Sequence, residues 1–206
     1  MNVDIYTDGS CSKSGRGGFA AIMFIDGVQI DAVYGGEPDT TNNRMELRGI
    51  IEGLQLIPVL KHIACANCGV TEFMPTDDPA FSPEPYIAMK DLAECELGQE
   101  PCSKIKKWLV PVPMYQGVTI YSDSEYCLKG AAHWLEMWKT NGWRTKAKQP
   151  VKNQEEWQII DALKKLHQPN WQWIKGHAGN AGNELADSLA TTACSLTTHS
   201  SWQKKL

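Results

Sequence analysis

The segment that most constrains the fold runs from residue 3 to residue 8, near the start of the chain. Val3, Ile5 and Thr7 alternate there with polar residues, and a period of two predicts a β-strand. The strand ends in Asp8, and a glycine follows it. In open α/β sheets, functional sites form at the carboxyl ends of the strands. Asp8 is therefore either a site carboxylate or an ordinary turn aspartate, and other carboxylates must decide between the two.

Four further segments have strand character and complete a mixed sheet. Residues 19–25 and 28–34 are joined by Asp-Gly, a strong hairpin signal, so we expect the first three strands to be antiparallel. Residues 118–123 alternate again and end in Asp123. A long connection precedes this fourth strand, which can therefore lie parallel to the first and beside it. Residues 171–175 are the fifth strand. The prediction is an α/β fold with a five-stranded mixed sheet, its fourth and fifth strands parallel to the first, flanked by helices.

Two helices carry acids that could meet those at the strand ends. One helix opens at residues 40–43 and has Glu46 in its first turn. Glu46 is either the acid of a capping box with Asn43 or a carboxylate turned towards Asp8. The last helix, predicted over 183–193, carries Asp187, which by itself would be an ordinary exposed acid. Asp123 in turn has the alternative role of a helix cap.

A pocket that collects these carboxylates needs cations. Several carboxylates close together repel one another and cannot all ionise unaided. Bound metal ions remove that difficulty, and a site made only of oxygen ligands selects hard ions, so we expect Mg²⁺, which Mn²⁺ can replace. Two such ions form a general clamp for in-line displacement at phosphorus.

The segment between residues 139 and 152 is basic and rich in aromatics, although the whole chain has a net charge of −4. It contains no acid. Its cations suit phosphates and its rings suit sugars or bases, but the same pattern also describes a solvated face above core tryptophans. The residues concerned are Lys139, Arg144, Lys146, Lys148 and Lys152, with Trp134, Trp138 and Trp143.

Residues 59–116 interrupt the α/β rhythm and are rich in proline and cysteine. We expect a single catalytic domain over residues 1–194, interrupted by this insertion, and a poorly ordered tail over 195–206. Four cysteines of the insertion could hold a structural zinc ion, namely Cys65, Cys68, Cys95 and Cys102. The first pair has the usual ligand spacing and the second is wider, and His62 is a spare ligand. Two disulfides and four unrelated thiols are the alternatives.

The cysteine count and the hydropathy pattern suggest a compartment. The chain has seven cysteines, an odd number, and shows no export signal, which favours a reducing compartment. No apolar run is long enough for a membrane helix. We therefore expect a cytoplasmic protein. Separately, we expect it to be a monomer.

Six ordered blocks of the chain resemble type 1 ribonuclease H. The resemblance covers about residues 1–58 and 117–194. The blocks are Thr7-Asp8-Gly9-Ser10-Cys11, Thr41-Asn42-Asn43-Arg44-Met45-Glu46-Leu47, Ser122-Asp123-Ser124, Trp138 to Thr145, Pro150-Val151-Lys152-Asn153, and Lys175 to Gly179 with Asn183-Glu184 and Asp187 beyond.

This resemblance implies an endonuclease that cuts the RNA strand of RNA/DNA hybrids and leaves 5′-phosphate and 3′-hydroxyl ends. It implies that one metal ion activates the attacking water and the other stabilises the leaving 3′-oxygen. The positions that match the metal-binding carboxylates are Asp8, Glu46, Asp123 and Asp187. His177 matches a loop histidine that moves protons or assists product release.

The resemblance also implies contacts with the hybrid substrate. The matching positions for reading ribose 2′-hydroxyls are Ser10, Cys11, Asn42 and Asn43. Thr41 and Asn153 match a pocket for a phosphate of the DNA strand. Tyr126 and Trp134 match a channel that lines the DNA sugars. The basic segment matches the substrate-binding protrusion of the family.

The chain departs from the family pattern at several places, and other functions compete. The loop after Cys11 lacks an asparagine that is common in the family and contacts a ribose there. Glu125 adds a negative charge where glutamine is frequent. The alternatives are a transposase or resolvase nuclease on the same fold, a catalytically dead hybrid-binding module, and a vehicle for a zinc-bound insertion that serves a partner. The ribose-reading blocks argue against the first, and the complete set of carboxylates argues against the second.

Overall fold

The computed structural model describes residues 2–57, 59–65, 71–75, 105–106, 111–113 and 117–206, and for those between 59 and 113 it describes the backbone alone. The chain divides into two compact units. One comprises Met1–Ile57 and Tyr115–Leu206, and the other comprises Pro58–Met114.

The described chain begins with three successive strands, and helices and further strands follow. They are β1 (Asn2–Cys11), β2 (Gly17–Ile25), β3 (Val28–Glu37), α1 (Asn42–Leu56), β4 (Val59–Cys65), β5 (Thr71–Pro75), β6 (Ile105–Lys106), β7 (Pro111–Pro113), β8 (Gly117–Ser122), α2 (Glu125–Lys129), a π-helical turn (Gly130–Trp134), α3 (Leu135–Thr140), α4 (Gln154–His167), β9 (Asn170–Trp173), α5 (Ala181–Leu196) and β10 (Trp202–Lys205).

The first unit is organised around a six-stranded mixed sheet in the order β10-β3-β2-β1-β8-β9. β1, β2 and β3 are antiparallel, and Asp26 and Gly27 form the turn of the β2–β3 hairpin with positive φ angles. β8 runs parallel to β1, with Val3 opposite Val118, and β9 runs parallel to β8. The predicted mixed sheet is confirmed. Its parallel strands bring the carboxyl ends of β1 and β8 to the same edge.

Helices cover both faces of this sheet, and the alternation of the strands decides which residues each face receives. The larger core joins Ile5 and Ala21 of the sheet to the apolar stripe of α1 and to Trp157 of α4. The smaller core lies under α5, where Ile22 packs with Ala186. The predicted stripe of α1 is fully buried. Helix α1 thus packs on one face of the sheet at β1, and helix α5 packs on the other.

The end of the chain corrects one expectation. The predicted poorly ordered tail is wrong, because α5 continues to Leu196 and β10 then pairs antiparallel with β3 as a sixth strand. The Trp202 indole donates a hydrogen bond to the Thr197 hydroxyl at 3.1 Å, and Gln203 donates one to the Glu52 carboxylate at 2.7 Å. These contacts fix a segment that has no periodic pattern long enough to predict.

The second unit contains a small antiparallel sheet centred on β4, which pairs with β5, β6 and β7. The register places Cys65 opposite Ile105. Within the described ranges, the chain has no helix that is both long enough and apolar enough to cross a membrane.

Candidate metal-dependent active site

Three acids from different elements meet at the carboxyl edge of the sheet. They are Asp8 of β1, Glu46 of α1 and Asp123, which directly follows β8. One ligand oxygen of each acid lies within 4.8 Å of the others, so a single cation could contact all three. Asp8 and Glu46 are buried, with 7% and 5% of their surfaces exposed, and Asp123 is half-buried.

The approach of α1 to β1 places Glu46 in this cluster. A Cβ atom at Gly9 would lie 2.2 Å from the backbone nitrogen of Glu46, so only glycine permits this contact. The Thr41 hydroxyl accepts a hydrogen bond from the Arg44 amide and caps α1. The alternative prediction of a capping box between Asn43 and Glu46 is therefore wrong, and the Glu46 side chain is available to the other acids.

Burial and crowding change the acidity of these carboxyls. Burial, with the charges of Asp123 and Asp187 adding to it, raises the pKa of Asp8 to about 7. Burial, followed by the charges of Asp8 and Asp123, raises the pKa of Glu46 well above its ordinary value. The Asn42 amide donates a 3.4 Å hydrogen bond to one Glu46 oxygen, and the other oxygen is buried without a hydrogen-bond partner among the described residues. This unpartnered oxygen in a cluster of acids fits a divalent cation.

Asp187 and His177 lie at the open side of the cluster. Asp187, on α5, is close enough to Asp8 to raise the pKa of that carboxyl. His177 Nδ1 lies 3.7 Å from a carboxylate oxygen of Asp187, and the imidazole is 80% exposed. The fourth predicted carboxylate thus borders the three-acid cluster, and the predicted histidine faces solvent beside it.

Sequence reasoning assigned no role to three residues that position this loop and Asp123. A Cβ atom at Gly176 would lie 2.4 Å from a carboxylate oxygen of Asp123. The Trp173 indole, half exposed, donates a 3.1 Å hydrogen bond to the Asp123 carbonyl. The Glu184 carboxylate accepts a 2.9 Å hydrogen bond from the Gly179 amide and so ties the loop to α5. Gly176 and Glu184 stand within the motif blocks, but their roles depend on distances that spacing does not give.

The predicted ribose-reading residues surround the same edge. Ser10 and Cys11 end β1 and are partly buried, and Asn42 and Asn43 are exposed in the first turn of α1. The Cys11 thiol contacts the Thr40 carbonyl at 3.5 Å. These four residues therefore lie beside the carboxylates, on the two elements that Gly9 brings together.

Comparison with known proteins decides the family. A family model for RNase H matches residues 1–65 and 104–195 of the chain. A ribonuclease H from Treponema denticola is 36% identical over 197 residues, which cover 94% of this chain and 98% of that protein. A ribonuclease H from Francisella tularensis subsp. novicida is 38% identical over 189 residues, covering 91% of this chain and 88% of that protein.

The chain belongs to the RNase H family. It is therefore a nuclease of the hydrolase class, as the resemblance predicts. A structure of LC9-RNase H1, described as a type 1 RNase H with the type 2 active-site motif, has a TM-score of 0.60 at 24% identity, covering 98% of this chain and 77% of that one. A foamy viral protease-reverse transcriptase in complex with RNA/DNA hybrid has a TM-score of 0.55 at 16% identity, covering 95% of this chain and 20% of that one. These two likenesses confirm the RNase H fold.

The two RNase H positions predicted to bind a DNA phosphate lie at the N-terminal ends of neighbouring helices. Arg44 of α1 forms a 2.8 Å ion pair with Glu156 of α4, which holds these ends side by side. Thr41 caps α1, and Asn153 precedes α4 in a left-handed conformation without capping it. The Asn153 amide instead donates a 3.4 Å hydrogen bond to the Tyr126 hydroxyl. The Tyr126 and Trp134 rings are 6.3 Å apart and both partly buried.

The basic segment contains cations of two kinds. Lys139 lies 2.9 Å from Asp161 and 3.1 Å from Glu136, so its charge is already compensated. Arg144, Lys146 and Lys148 are exposed and form no ion pair within the described part of the chain. Trp138 is buried in the core, whereas Trp143 is partly buried against it. The tryptophans thus fix the base of the segment, and its free cations are at its exposed end.

The additional negative charge predicted at Glu125 lies on the exposed side of α2. Glu125 is exposed and forms an ion pair with Lys129, so its extra negative charge is compensated within α2.

The predicted zinc ligands Cys68, Cys95 and Cys102 lie outside the described residues, and only the backbone of Cys65 is described. The cysteines whose side chains are described, Cys11, Cys127 and Cys194, are free thiols.

Proposed function

We propose that this RNase H-family protein hydrolyses the RNA strand of RNA/DNA hybrids with two divalent metal ions, giving 5′-phosphate and 3′-hydroxyl ends. The observation that carries the proposal is the crowding of Asp8, Glu46 and Asp123, whose oxygens lie within 4.8 Å of one another. Two of these acids are buried and have raised pKa values. Such an arrangement is unfavourable for a protein alone and favourable once cations are bound.

The acids would hold the ions, and other residues would place the substrate. Asp8, Glu46 and Asp123 would share one cation, and Asp187 with Asp8 would complete the set for a second. When bound, the pair supplies positive charge for the attacking and leaving oxygens of an in-line displacement. The oxygen-only ligand set favours Mg²⁺, with Mn²⁺ as a substitute. His177, whose Nδ1 faces Asp187, would present Nε2 to solvent for proton transfer.

Recognition of the hybrid would come from both strands. Ser10, Cys11, Asn42 and Asn43 offer hydroxyl, thiol and amide groups beside the acids, where they would read ribose hydroxyls. Thr41 and Asn153 would bind a phosphate of the DNA strand, and Tyr126 and Trp134 would contact its sugars. Arg144, Lys146 and Lys148 would add phosphate contacts, while Lys139 would serve mainly to fix the base of the segment. The foamy viral complex, a fold relative only, was determined with RNA/DNA hybrid.

A cleavage assay tests this function. Wild-type protein with Mg²⁺ is expected to cut the RNA strand of a labelled hybrid and to leave single-stranded RNA and duplex DNA intact. A phosphatase is expected to release phosphate from the new 5′ ends, and a polymerase is expected to extend the new 3′-hydroxyl ends. Equal cutting of duplex DNA would favour the transposase alternative, and binding of the hybrid without cleavage would favour the dead binding module.

We further propose that the four insertion cysteines bind one structural zinc ion. Cys65 ends β4 and lies opposite Ile105, and Cys102 precedes that partner by three residues in the sequence. The spacing of Cys65 and Cys68 is the usual one for a pair of zinc ligands. Metal analysis of purified wild type is expected to give about one zinc per chain, and Cys65→Ser/Cys68→Ser is expected to give none. A wild type without zinc rejects the site. Cleavage with Mg²⁺ is expected to persist in the double variant.

Two further expectations remain proposals. We expect the protein to be a monomer, which sedimentation velocity at assay concentrations would check. We also expect it in the cytoplasm, where free thiols such as Cys11, Cys127 and Cys194 persist.

A further inference from the structure

The loop between β1 and β2, residues 12–16, is held rigidly by its own hydrogen bonds. The Ser12 amide donates to the Arg16 carbonyl at 2.8 Å, and the Gly15 amide donates to the Ser12 carbonyl at 3.0 Å. The Ser12 hydroxyl lies 2.9 Å from the Ser14 hydroxyl and also accepts from the Arg16 amide at 3.2 Å. This bonding gives a five-residue loop one defined conformation.

Neighbouring elements fix this loop beside the active site. The Thr40 amide donates to the Gly15 carbonyl at 2.8 Å, and Thr40 directly precedes the cap of α1. The Cys194 thiol of α5 contacts the Arg16 carbonyl at 3.1 Å. On its other side the loop continues directly from Ser10 and Cys11. Side chains on the loop therefore project from a fixed position next to the proposed ribose-reading residues.

The loop carries two cations that the protein does not neutralise. Lys13 and Arg16 are exposed, and neither forms an ion pair with any carboxylate in the described ranges. The Arg16 Nε donates to the Ser14 hydroxyl at 3.2 Å, which orients the guanidinium and leaves its other N–H groups free. Most other arginines and several lysines of this unit are paired, among them Arg44, Arg48, Lys129, Lys139, Lys165 and Lys205.

A cavity of about 460 Å³ opens beside Arg16, between the loop, the β3–α1 connection and the segment after α5. Its lining residues are Ser14, Arg16, Pro38, Asp39, Thr198 and His199. A guanidinium, an imidazole and two hydroxyls are groups that bind a phosphate through several hydrogen bonds. Asp39 is the acid of this cavity, and its charge opposes an anion.

We propose that Lys13 and Arg16 bind a backbone phosphate of the hybrid, with the phosphate seated at the cavity beside Arg16. This subsite rests on the proposed function, since its ligand is the same substrate. It is separate from the basic segment at residues 139–152 and would hold the hybrid at a second place. The ligand class is a phosphodiester, from either the RNA or the DNA strand. The negative charge of Asp39 repels the phosphate, so the subsite binds the phosphate less tightly than it would without this acid.

Equilibrium binding to a labelled hybrid tests the subsite. We would place Lys13→Ala/Arg16→Ala in an Asp8→Asn background, so that the RNA strand is not cut during the titration. The slope of log Kobs against log[salt] is expected to fall by about 0.9 for each phosphate that the variant no longer neutralises. Affinity at low salt is expected to fall about three- to tenfold. Asp39→Asn is expected to tighten binding. Lys204→Ala, which removes an exposed lysine of β10, is the matched control and is expected to change neither quantity.

Hybrids with a single methylphosphonate linkage show which strand supplies the bound phosphate. Each linkage removes one phosphate charge, either in the DNA strand or in a 2′-O-methyl position of the RNA strand. At one position, the substitution is expected to weaken binding to the Asp8→Asn parent but not to the Lys13→Ala/Arg16→Ala variant. An unchanged salt slope in the variant, or the absence of such a position from both strands, overturns the subsite. If the wild type fails to cut any hybrid, the proposed function itself fails, which is a different result.

Discussion

Two glutamates of α1 are buried to nearly the same extent and have opposite surroundings. Glu52, 7% exposed, lies 2.8 Å from the Arg48 guanidinium and accepts a hydrogen bond from Gln203. Glu46, 5% exposed, has one long hydrogen bond from Asn42 and otherwise faces Asp8 and Asp123. Burial of a carboxylate is unfavourable in both places, but the protein compensates only Glu52. The uncompensated acid is the one that needs a ligand.

The lysines of the basic segment also divide into those with a partner of opposite charge and those without one. Lys139 is paired with Asp161, which also pairs with Lys165 at 2.7 Å. Lys146 and Lys148 have no carboxylate partner in the described ranges. Charges with partners hold elements together, and charges without partners are available to ions or substrate. Substitutions at matched positions can therefore separate the two roles.

The largest expected effect is on catalysis. Glu46→Gln removes one ligand charge from the metal cluster at constant volume, so the single-turnover cleavage rate is expected to fall at least about 100-fold. Glu52→Gln makes the same chemical change in the same helix and is expected to keep the rate within about twofold. Rates should be measured on a labelled hybrid with Mg²⁺ in excess. Equal rate losses in the two variants would contradict the assignment of Glu46 to the site.

The next effect concerns the pH dependence of stability in the absence of metal. The pKa of Asp8 is about 7, above its ordinary value of 3.8, so the folded state holds this proton more tightly than the unfolded state. The stabilisation by this proton is present below about pH 4 and is lost as pH rises to 7, by at most about 1.4 kcal/mol for each pH unit. Asp8→Asn lacks this loss, so its Tm in chelator is expected to exceed that of wild type increasingly from pH 4 to pH 7, and the difference is expected to level off above pH 7.

Comparing the two proteins at each pH removes the titrating groups that do not interact with Asp8. Glu46 is not among them, because the Asp8 charge raises its pKa; the loss of that charge in Asp8→Asn adds to the expected difference in the same direction. Burial lowers the pKa of His167 to about 4, so its contribution is complete above the ordinary value of 6.5 and is lost as pH falls to 4. Both proteins contain His167, and the difference in Tm cancels it. Added Mg²⁺ is expected to raise the Tm of wild type at pH 8 more than that of Asp8→Asn. A Tm difference that does not change with pH would argue against crowding at Asp8.

A smaller effect on stability is expected at Glu52. Glu52→Gln leaves Arg48 with only Glu37, whose carboxylate is 3.8 Å away. The Arg48 side chain is 35% exposed, so solvent screens part of the loss, and we expect a decrease of about 1–2 kcal/mol in the free energy of unfolding. For a chain of this size that is a decrease of roughly 2–8 °C in Tm. Thermal melts of Glu46→Gln, which should not lose stability, give the matched control.

The smallest effect concerns the basic segment. Lys146→Ala/Lys148→Ala is expected to reduce the salt slope of hybrid binding by up to about 1.8 and to raise KM modestly, with kcat unchanged, because these groups contact phosphates before and during the reaction. Lys139→Ala is expected to lower Tm through the loss of the Asp161 ion pair, with a smaller change in slope. If Lys139→Ala gives the larger slope change, Lys139 exchanges its carboxylate partners for phosphate on binding.

The sheet and the meeting of the acids could be predicted because they depend on local patterns and on chain connectivity. A period of two defines β1 and β8, and a parallel crossover places Asp8 beside Asp123 whatever the details of packing. The turn at Asp26 and the apolar stripe of α1 are likewise determined by residues that are close together in the sequence. The motif blocks then supply the chemistry that the topology brings together.

Other features depend on distances that no local pattern contains. Lys139 belongs to a basic run in the sequence, yet Asp161, 22 residues later, neutralises it across the helix interface. β10 has four residues and no alternation, and it forms because β3 offers an unpaired edge. Helix α1 is capped by Thr41 and not by Asn43, because the backbone turns two residues earlier than a capping box requires.

The close approach of Gly9 to α1 and of Gly176 to Asp123 has a consequence for genetic screens. Any side chain at position 9 collides with the backbone of Glu46, and any side chain at position 176 collides with the Asp123 carboxylate. A random search for inactive alleles should therefore recover these two glycines as often as the acids, although neither contributes an atom to the chemistry. Such alleles would mark the positions that allow the carboxylates to lie close together, and a search restricted to polar residues would overlook them.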